Sequence, residues 1–180
     1  VTIVFAPTQS PSEVAAKFRA MQARAHALGP VLAPAREMVA KMIDDSFERS
    51  QSPDGTAWAK NAPSTIARKR GSAKPGIDKG ILRASQYVTV IPNGLDFGTR
   101  VPYAAPVQFG SVRGGRLKHA SYTGGVKREK GTAWSSTTPG RAFLPFTREG
   151  LLMRTGRAQT VIDAVTKMVM AYIVTGKVTP

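Results

Sequence analysis

The hydrophobic period of this chain changes twice, and no other feature restricts its fold as much. From Pro11 to about Ser50 apolar residues recur at spacings of three and four, the repeat of helices with one buried face. Tyr87 to Ile91 and Leu95 to Val101 are instead short β-compatible runs, and from about Arg157 to Val174 the helical repeat returns. Helices at both ends with strands between predict one α+β domain over residues 1–180. Long N-terminal helices and a C-terminal helix pack on a small, mainly antiparallel sheet, and long basic loops connect them.

Local signals place the elements. Ser10-Pro11-Ser12-Glu13 is a capping box with proline at the first helical position, which predicts a helix from Pro11 to about Leu28. Val14, Phe18, Met21, Ala25 and Leu28 share its apolar face, and Gly29-Pro30 ends it. A second helix, starting between Pro30 and Pro34 and running to about Ser50, carries Ala35, Val39, Met42, Ile43 and Phe47; the pair forms either a hairpin or one long bent helix. Val1 to Phe5 reads as a short edge strand and not as a signal peptide. Pro53-Asp54-Gly55 fixes a turn that gives Trp58 a place to pack, and the rest of 51–80 is loop-like apart from a short helical stretch near Ser64 to Arg70, with Ser64 as its cap.

Pro92-Asn93-Gly94 predicts a hairpin with Asn-Gly at its centre. Tyr103 to Phe109 suits a strand or short turn, and Arg141 to Thr147 a return to the sheet. Residues 110–131 hold six glycines and six Lys or Arg, the composition of a mobile or partner-ordered loop. The last helix presents Val161, Val165, Met168, Val169 and Tyr172 on one face.

Composition then bounds the partners. With 26 Lys and Arg against 11 Asp and Glu, the net charge is +15, which favours nucleic acid or an acidic protein surface. The chain has no cysteine, so disulfides, thiolate metal sites and a cysteine nucleophile are excluded. His26 and His119 have no carboxylate at ligand-like spacing, and Gly110 to Gly115 lacks the lysine of a phosphate loop, so no cofactor, metal or catalytic group is expected. Asp44, Asp45 and Glu48 read as a solvated helix face. The cations form two groups, one centred on Arg68, Lys69 and Arg70, the other on Arg113, Arg116, Lys118, Lys127, Arg128 and Lys130. These residues, with Trp58 and Phe109 as aromatic anchors, are the candidate docking set. No run is long and apolar enough to span a bilayer.

The order of motifs carries a resemblance. S-F-E-R-S-Q-S-P-D-G-T-A-W, then S-T-I-A-R-K-R, G-I-L-R-A-S, Y-A-A-P-V-Q-F-G and P-G-R-A-F-L-P-F, spanning about residues 43–147, resembles the phage virion morphogenesis (tail-completion) family. The chain departs from the family's usual Arg-Pro-Phe-Leu at Ala142, and from its Thr-Gly-x-Leu at Ala84-Ser85-Gln86-Tyr87. The resemblance implies a structural protein of the virion neck or tail region, assembled in the bacterial host cytoplasm. It would act in head–tail joining or tail completion as a homo-oligomeric ring around the DNA channel. Its implied partners are copies of itself, portal or adaptor and tail-tube or tail-terminator proteins, and packaged double-stranded DNA. From the charge alone, a free-standing basic nucleic-acid-binding protein is the alternative.

Overall fold

The computed structural model describes residues 10–116, 121–123, 126–128 and 133–178; the expected strand at Val1 to Phe5 lies outside them, as do Lys118 and Lys130. Helix α1 (Pro11–Ala25) begins at the capping box: Ser10 N–H donates to Glu13 Oε2 at 2.7 Å and Glu13 N–H to Ser10 Oγ at 3.3 Å. Helix α2 (Gly29–Arg49) starts with Pro30 in its first turn, where the missing N–H removes no helical bond. Its Val31, Leu32, Ala35, Val39, Met42, Ile43 and Phe47 are buried, making it the central helix of the fold.

The α1–α2 break is not a packed hairpin. The main neighbour of α1 is α6 (Gly156–Thr175), whose last carbonyls, Ile173 O and Val174 O, accept from Arg24 at 2.8 and 3.0 Å. Arg24 thereby satisfies two orphan C-terminal acceptors and sets its charge against the negative end of the helix dipole. α1 buries none of its own residues, so its predicted apolar stripe has found no core to join.

Between α2 and α6 the chain runs through two short helices, α3 (Pro63–Arg68) and α4 (Ile81–Ala84), and a hairpin of β1 (Gln86–Ile91) with β2 (Gly94–Thr99). The N-cap of α3 is Ala62, with Pro63 at the first helical position, rather than Ser64. Ile91 pairs with Gly94, so the hairpin loop is Pro92-Asn93 and Gly94 already belongs to β2. The hairpin forms as expected, but its centre lies one residue before Asn-Gly: proline fixes φ at about −65°, and Asn93 is not in the left-handed region, which excludes a type I′ turn.

The next segments correct the expected sheet. Tyr103 to Phe109 is not a strand: Ala104–Phe109 is helix α5. Within 110–131, expected as a loop, Ser111–Arg116 (β3), Ser121–Thr123 (β4) and Val126–Arg128 (β5) are strands, and β3 pairs antiparallel with β6 (Ala133–Thr138) while β4 pairs with β5. Arg116 pairs with Ala133 at the end of the first ladder, and Ser121 with Arg128 and Thr123 with Val126 in the second. Sequence reading missed these strands because residues 110–131 are rich in glycine and cations and lack the apolar alternation that marks a strand. Arg141 to Thr147 is irregular, with a bend at Leu144-Pro145, and joins no ladder; Phe146 makes one bridge, to Leu152. The mixed helix and antiparallel strand architecture is as expected, but it is distributed over separate two-stranded ladders.

Candidate assembly interface

The motif residues converge on one buried knot. Phe47 on α2 meets Trp58 edge-on at 5.5 Å between ring centroids and Phe143 at 5.3 Å, and all three are buried. Trp58 reaches this position through the predicted turn: Asp54 Oδ1 accepts from Thr56 N–H at 2.8 Å, Gly55 has φ 99°, and Trp58 N–H donates to Ser50 O at 2.8 Å. Its indole Nε1–H donates to Ala142 O at 2.9 Å and to Ser52 Oγ at 3.2 Å. Gly76, at φ 74°, lies against the ring so closely that a Cβ there would sit 2.6 Å from Trp58 Cζ3. Trp58 is therefore a core residue, 6% exposed, and holds loop 50–58 onto segment 141–146 rather than facing a neighbour.

Gln108 performs a second closure. From α5 its buried amide donates Nε2–H to Leu144 O at 3.0 Å and Phe146 O at 3.1 Å, while Oε1 accepts from Phe143 N–H at 2.9 Å and Leu144 N–H at 3.1 Å. One side chain thus satisfies four backbone groups of 143–146, which lets a segment outside any ladder be buried. Arg141 completes the junction by donating to Ala59 O at 3.2 and 3.0 Å and to Asn61 Oδ1 at 3.1 Å, and burial lowers its pKa. Arg157 spans Gln51 O, at 3.0 Å, and Ser52 O, at 3.1 Å, from the start of α6. Burial lowers the Arg157 pKa, aided by Arg49 and opposed by Asp45. No periodicity singles out Arg157 in the sequence.

The cations divide by what they touch. Lys69 turns inward: its ammonium donates to the carbonyls of Ser72 at 3.0 Å, Lys74 at 2.6 Å, and Ile77, so all three N–H groups are used within loop 69–77. Desolvation lowers its pKa, opposed by Asp78 and reinforced by Arg141. Arg68 is exposed and bonds Ser64 O of its own helix at 3.0 Å, and Arg70 is exposed. Lys69 therefore organises the loop that carries Arg70, while Arg68 ends α3. Arg83 is also consumed internally. It holds Asp44 at 2.7 and 2.9 Å and Glu48 at 2.6 Å, tying α4 to α2, and the Asp44 hydrogen bond is the main reason its pKa is raised. The acidic face of α2 is thus an intramolecular ion-pair network; Lys74 approaches Glu48 at 3.7 Å and Lys41 approaches Asp45 at 3.6 Å.

Phe109 is half-buried, with Phe146 at 6.2 Å and the Arg148 guanidinium 5.9 Å from its ring centroid. Arg113 is exposed on β3, next to Val112, whose side chain is 75% exposed; Arg116 lies further along β3, and Lys127 and Arg128 lie on β5. Of the candidate docking residues whose side chains are described, Trp58 and Lys69 turn inward, Phe109 is half-buried, and Arg68, Arg70 and Arg113 are exposed. Among the described residues there is no cluster of histidine and acidic side chains suited to a metal, and no described helix is long and apolar enough to cross a membrane.

No curated protein and no solved structure matches the chain significantly. A family model does match, over residues 11–163, and it covers every element from α1 into α6, including the knot made by Phe47, Trp58, Gln108 and Phe143. The chain belongs to the phage virion morphogenesis family.

Proposed function

We propose that this chain is a structural component of the virion neck, acting in tail completion and head–tail joining as a homo-oligomeric ring around the DNA channel. Family membership across residues 11–163 carries the reading. The division of cations supports it: Lys69, Arg83, Arg141 and Arg157 hold the subunit together, while Arg68, Arg70 and, on the β3–β6 ribbon, Arg113 are exposed. A paired ribbon can reach a neighbouring subunit, an acidic portal or adaptor surface, or packaged DNA, without exposing a long unpaired edge of the core. The role is mechanical: the subunit fits between partners, and the buried knot keeps its loops in place when many subunits share a load.

Deletion of the reading frame in the parent phage tests this. Filled heads and separate tails are the expected products, with joining restored when the protein is supplied in trans. Infectious particles that contain no copy of the chain would overturn the proposal. An isolated subunit that binds duplex DNA tightly, with a steep salt dependence and without self-association, would identify the free-standing nucleic-acid-binding alternative.

A further inference from the structure

We propose that the closed loop of residues 59–80 docks against the phosphate backbone of duplex DNA through Lys60, Arg68, Arg70 and Lys79. This rests on the neck reading and names which of its partners this face meets. The loop is held in shape by its own bonds: Asn61 Nδ2–H donates to Ala73 O at 2.8 Å, Gly71 N–H to Asp78 Oδ1 at 3.0 Å and Ser72 N–H to Asp78 O at 3.1 Å, while the Lys69 ammonium ties its interior together. Gly76 against Trp58 and Arg141 on Ala59 O fix its base to the core. A Cβ on Gly71 would sit 2.2 Å from Asp78 O, so Arg70 and Lys79, which adjoin these two residues, lie on neighbouring stretches of backbone. Arg68 precedes them at the end of α3.

Charge sets this face apart. Residues 59–80 hold six Lys or Arg and one carboxylate, Asp78, which accepts from Gly71 N–H and stands near Lys69. The cations of α2 and α4 are answered by Glu37, Asp44, Asp45 and Glu48, whereas exposed Lys60, Arg68, Arg70 and Lys79 form no ion pair with a described carboxylate. Beneath them, Lys69 and Arg141 bond carbonyl oxygens and the Asn61 amide, so the contacts that close the loop leave both charges standing. Composition selects phosphate over an acidic protein surface. Protein interfaces are enriched in aromatic residues, Met and Arg and depleted in Lys, Ser and Ala. Of the enriched types the loop has arginine alone, and Ile66 is the large apolar side chain it exposes. Lys, Arg, Ser and Thr are instead the donors that hold nucleic acid by its phosphates without reading sequence, which suits DNA passing a joint. Loss of such a contact is felt in particle assembly and not in the fold.

Fluorescence anisotropy of a short labelled duplex, titrated with the full-length protein between about 50 and 200 mM salt, tests the assignment. Two duplexes of unrelated sequence are expected to bind alike, with log K falling against log salt at a slope of about −3 to −4 for three or four neutralised phosphates. In Arg68→Ala/Arg70→Ala/Lys79→Ala the slope should shrink by about 3. Lys17→Ala/Arg19→Ala/Lys167→Ala removes as many exposed cations from α1 and α6 and should leave affinity and slope unchanged. A loop variant that binds like wild type, or a control variant that loses as much, overturns the assignment and leaves the neck reading to the deletion phage. Polyglutamate that displaces the duplex as effectively as unlabelled DNA gives the loop to an acidic protein surface and also overturns it. A slope near about −10 from a subunit that does not self-associate belongs to the free-standing binder and removes the reading on which the proposal rests.

Discussion

Replacing Gln108 with leucine tests whether one buried amide holds the family's C-terminal motif in place. The side chain is 4% exposed and all four of its hydrogen-bonding positions reach the backbone of 143–146. Leucine has nearly the same volume, so the change adds little cavity and isolates the polar loss. It leaves two N–H groups and two carbonyls without their partner in a region where Phe143 is fully buried and Leu144 is 4% exposed. An unsatisfied buried group costs about 1–3 kcal/mol, and carbonyls tolerate it better than N–H groups. Counting the two N–H groups in full and allowing relaxation around the carbonyls gives a loss of about 2–6 kcal/mol. Against a typical total of about 5–15 kcal/mol, this removes a large share of the subunit's stability.

Urea unfolding followed by tryptophan fluorescence reads the loss, since Trp58 is bound to the same segment through Ala142 O. Gln108→Glu sharpens the test. The carboxylate keeps both acceptors but faces Leu144 O and Phe146 O with no proton, so it is destabilising at neutral pH and its folded pKa rises above the ordinary value near 4.3. A carboxyl with a raised folded pKa loses stability as pH climbs from the unfolded to the folded value, so the deficit relative to wild type shrinks in acid. A Gln108→Leu protein within about 1 kcal/mol of wild type, or a Gln108→Glu deficit that does not change with pH, would refute the reasoning.

Three further outcomes follow from the same geometry. Trp58→Phe keeps the aromatic contact but removes the donor to Ala142 O, and is expected to cost about 2 kcal/mol in the same unfolding assay. Lys69→Met releases three loop carbonyls, so amide exchange over 69–77 should accelerate and stability fall, whereas Arg70→Ala should leave both unchanged and act only on particle assembly. Glu13 is held below its ordinary 4.5 by the Ser10 backbone N–H and then by the Ser10 hydroxyl; its contribution to α1 is present above 4.5 and lost as pH falls through the lowered value. In Ser10→Ala, a carboxylate titration followed by nuclear magnetic resonance should show Glu13 moving back toward 4.5.

What was legible in the sequence was local. The capping box, the Pro53-Asp54-Gly55 turn and the apolar stripe of α2 depend on residues within a few positions of one another, and each formed as expected. What failed depended on distant partners. Tyr103 to Phe109 has strand-like composition, but Gln108 must face 143–146 across the core, and a helical turn supplies that direction. Lys69 reads as part of a cationic run, and only the fold of 72–77 brings three carbonyls to its ammonium. Trp58 sits in the most recognisable motif and was expected near an interface; its burial shows that the motif records packing.

That distinction bears on how such a subunit assembles. If the recognisable residues build the interior, then contact specificity must reside in what the interior leaves outside, such as the exposed cations Arg68, Arg70 and, on the β3–β6 ribbon, Arg113, and the exposed apolar side chains Phe18 and Val112. Polar contacts of the ribbon steer approach but are screened by salt, with a Debye length of about 8 Å at physiological ionic strength. Apolar insertion is not screened, and burying an aromatic such as Phe18 contributes about 1.5–3 kcal/mol per contact. Added around the proposed ring, contacts of that size would hold the assembly while leaving each single interface weak enough to be corrected during assembly. Raising salt should therefore slow the formation of the wild-type oligomer more than it speeds its dissociation. Dissociation that accelerates steeply with salt would instead assign the holding contacts to the ribbon.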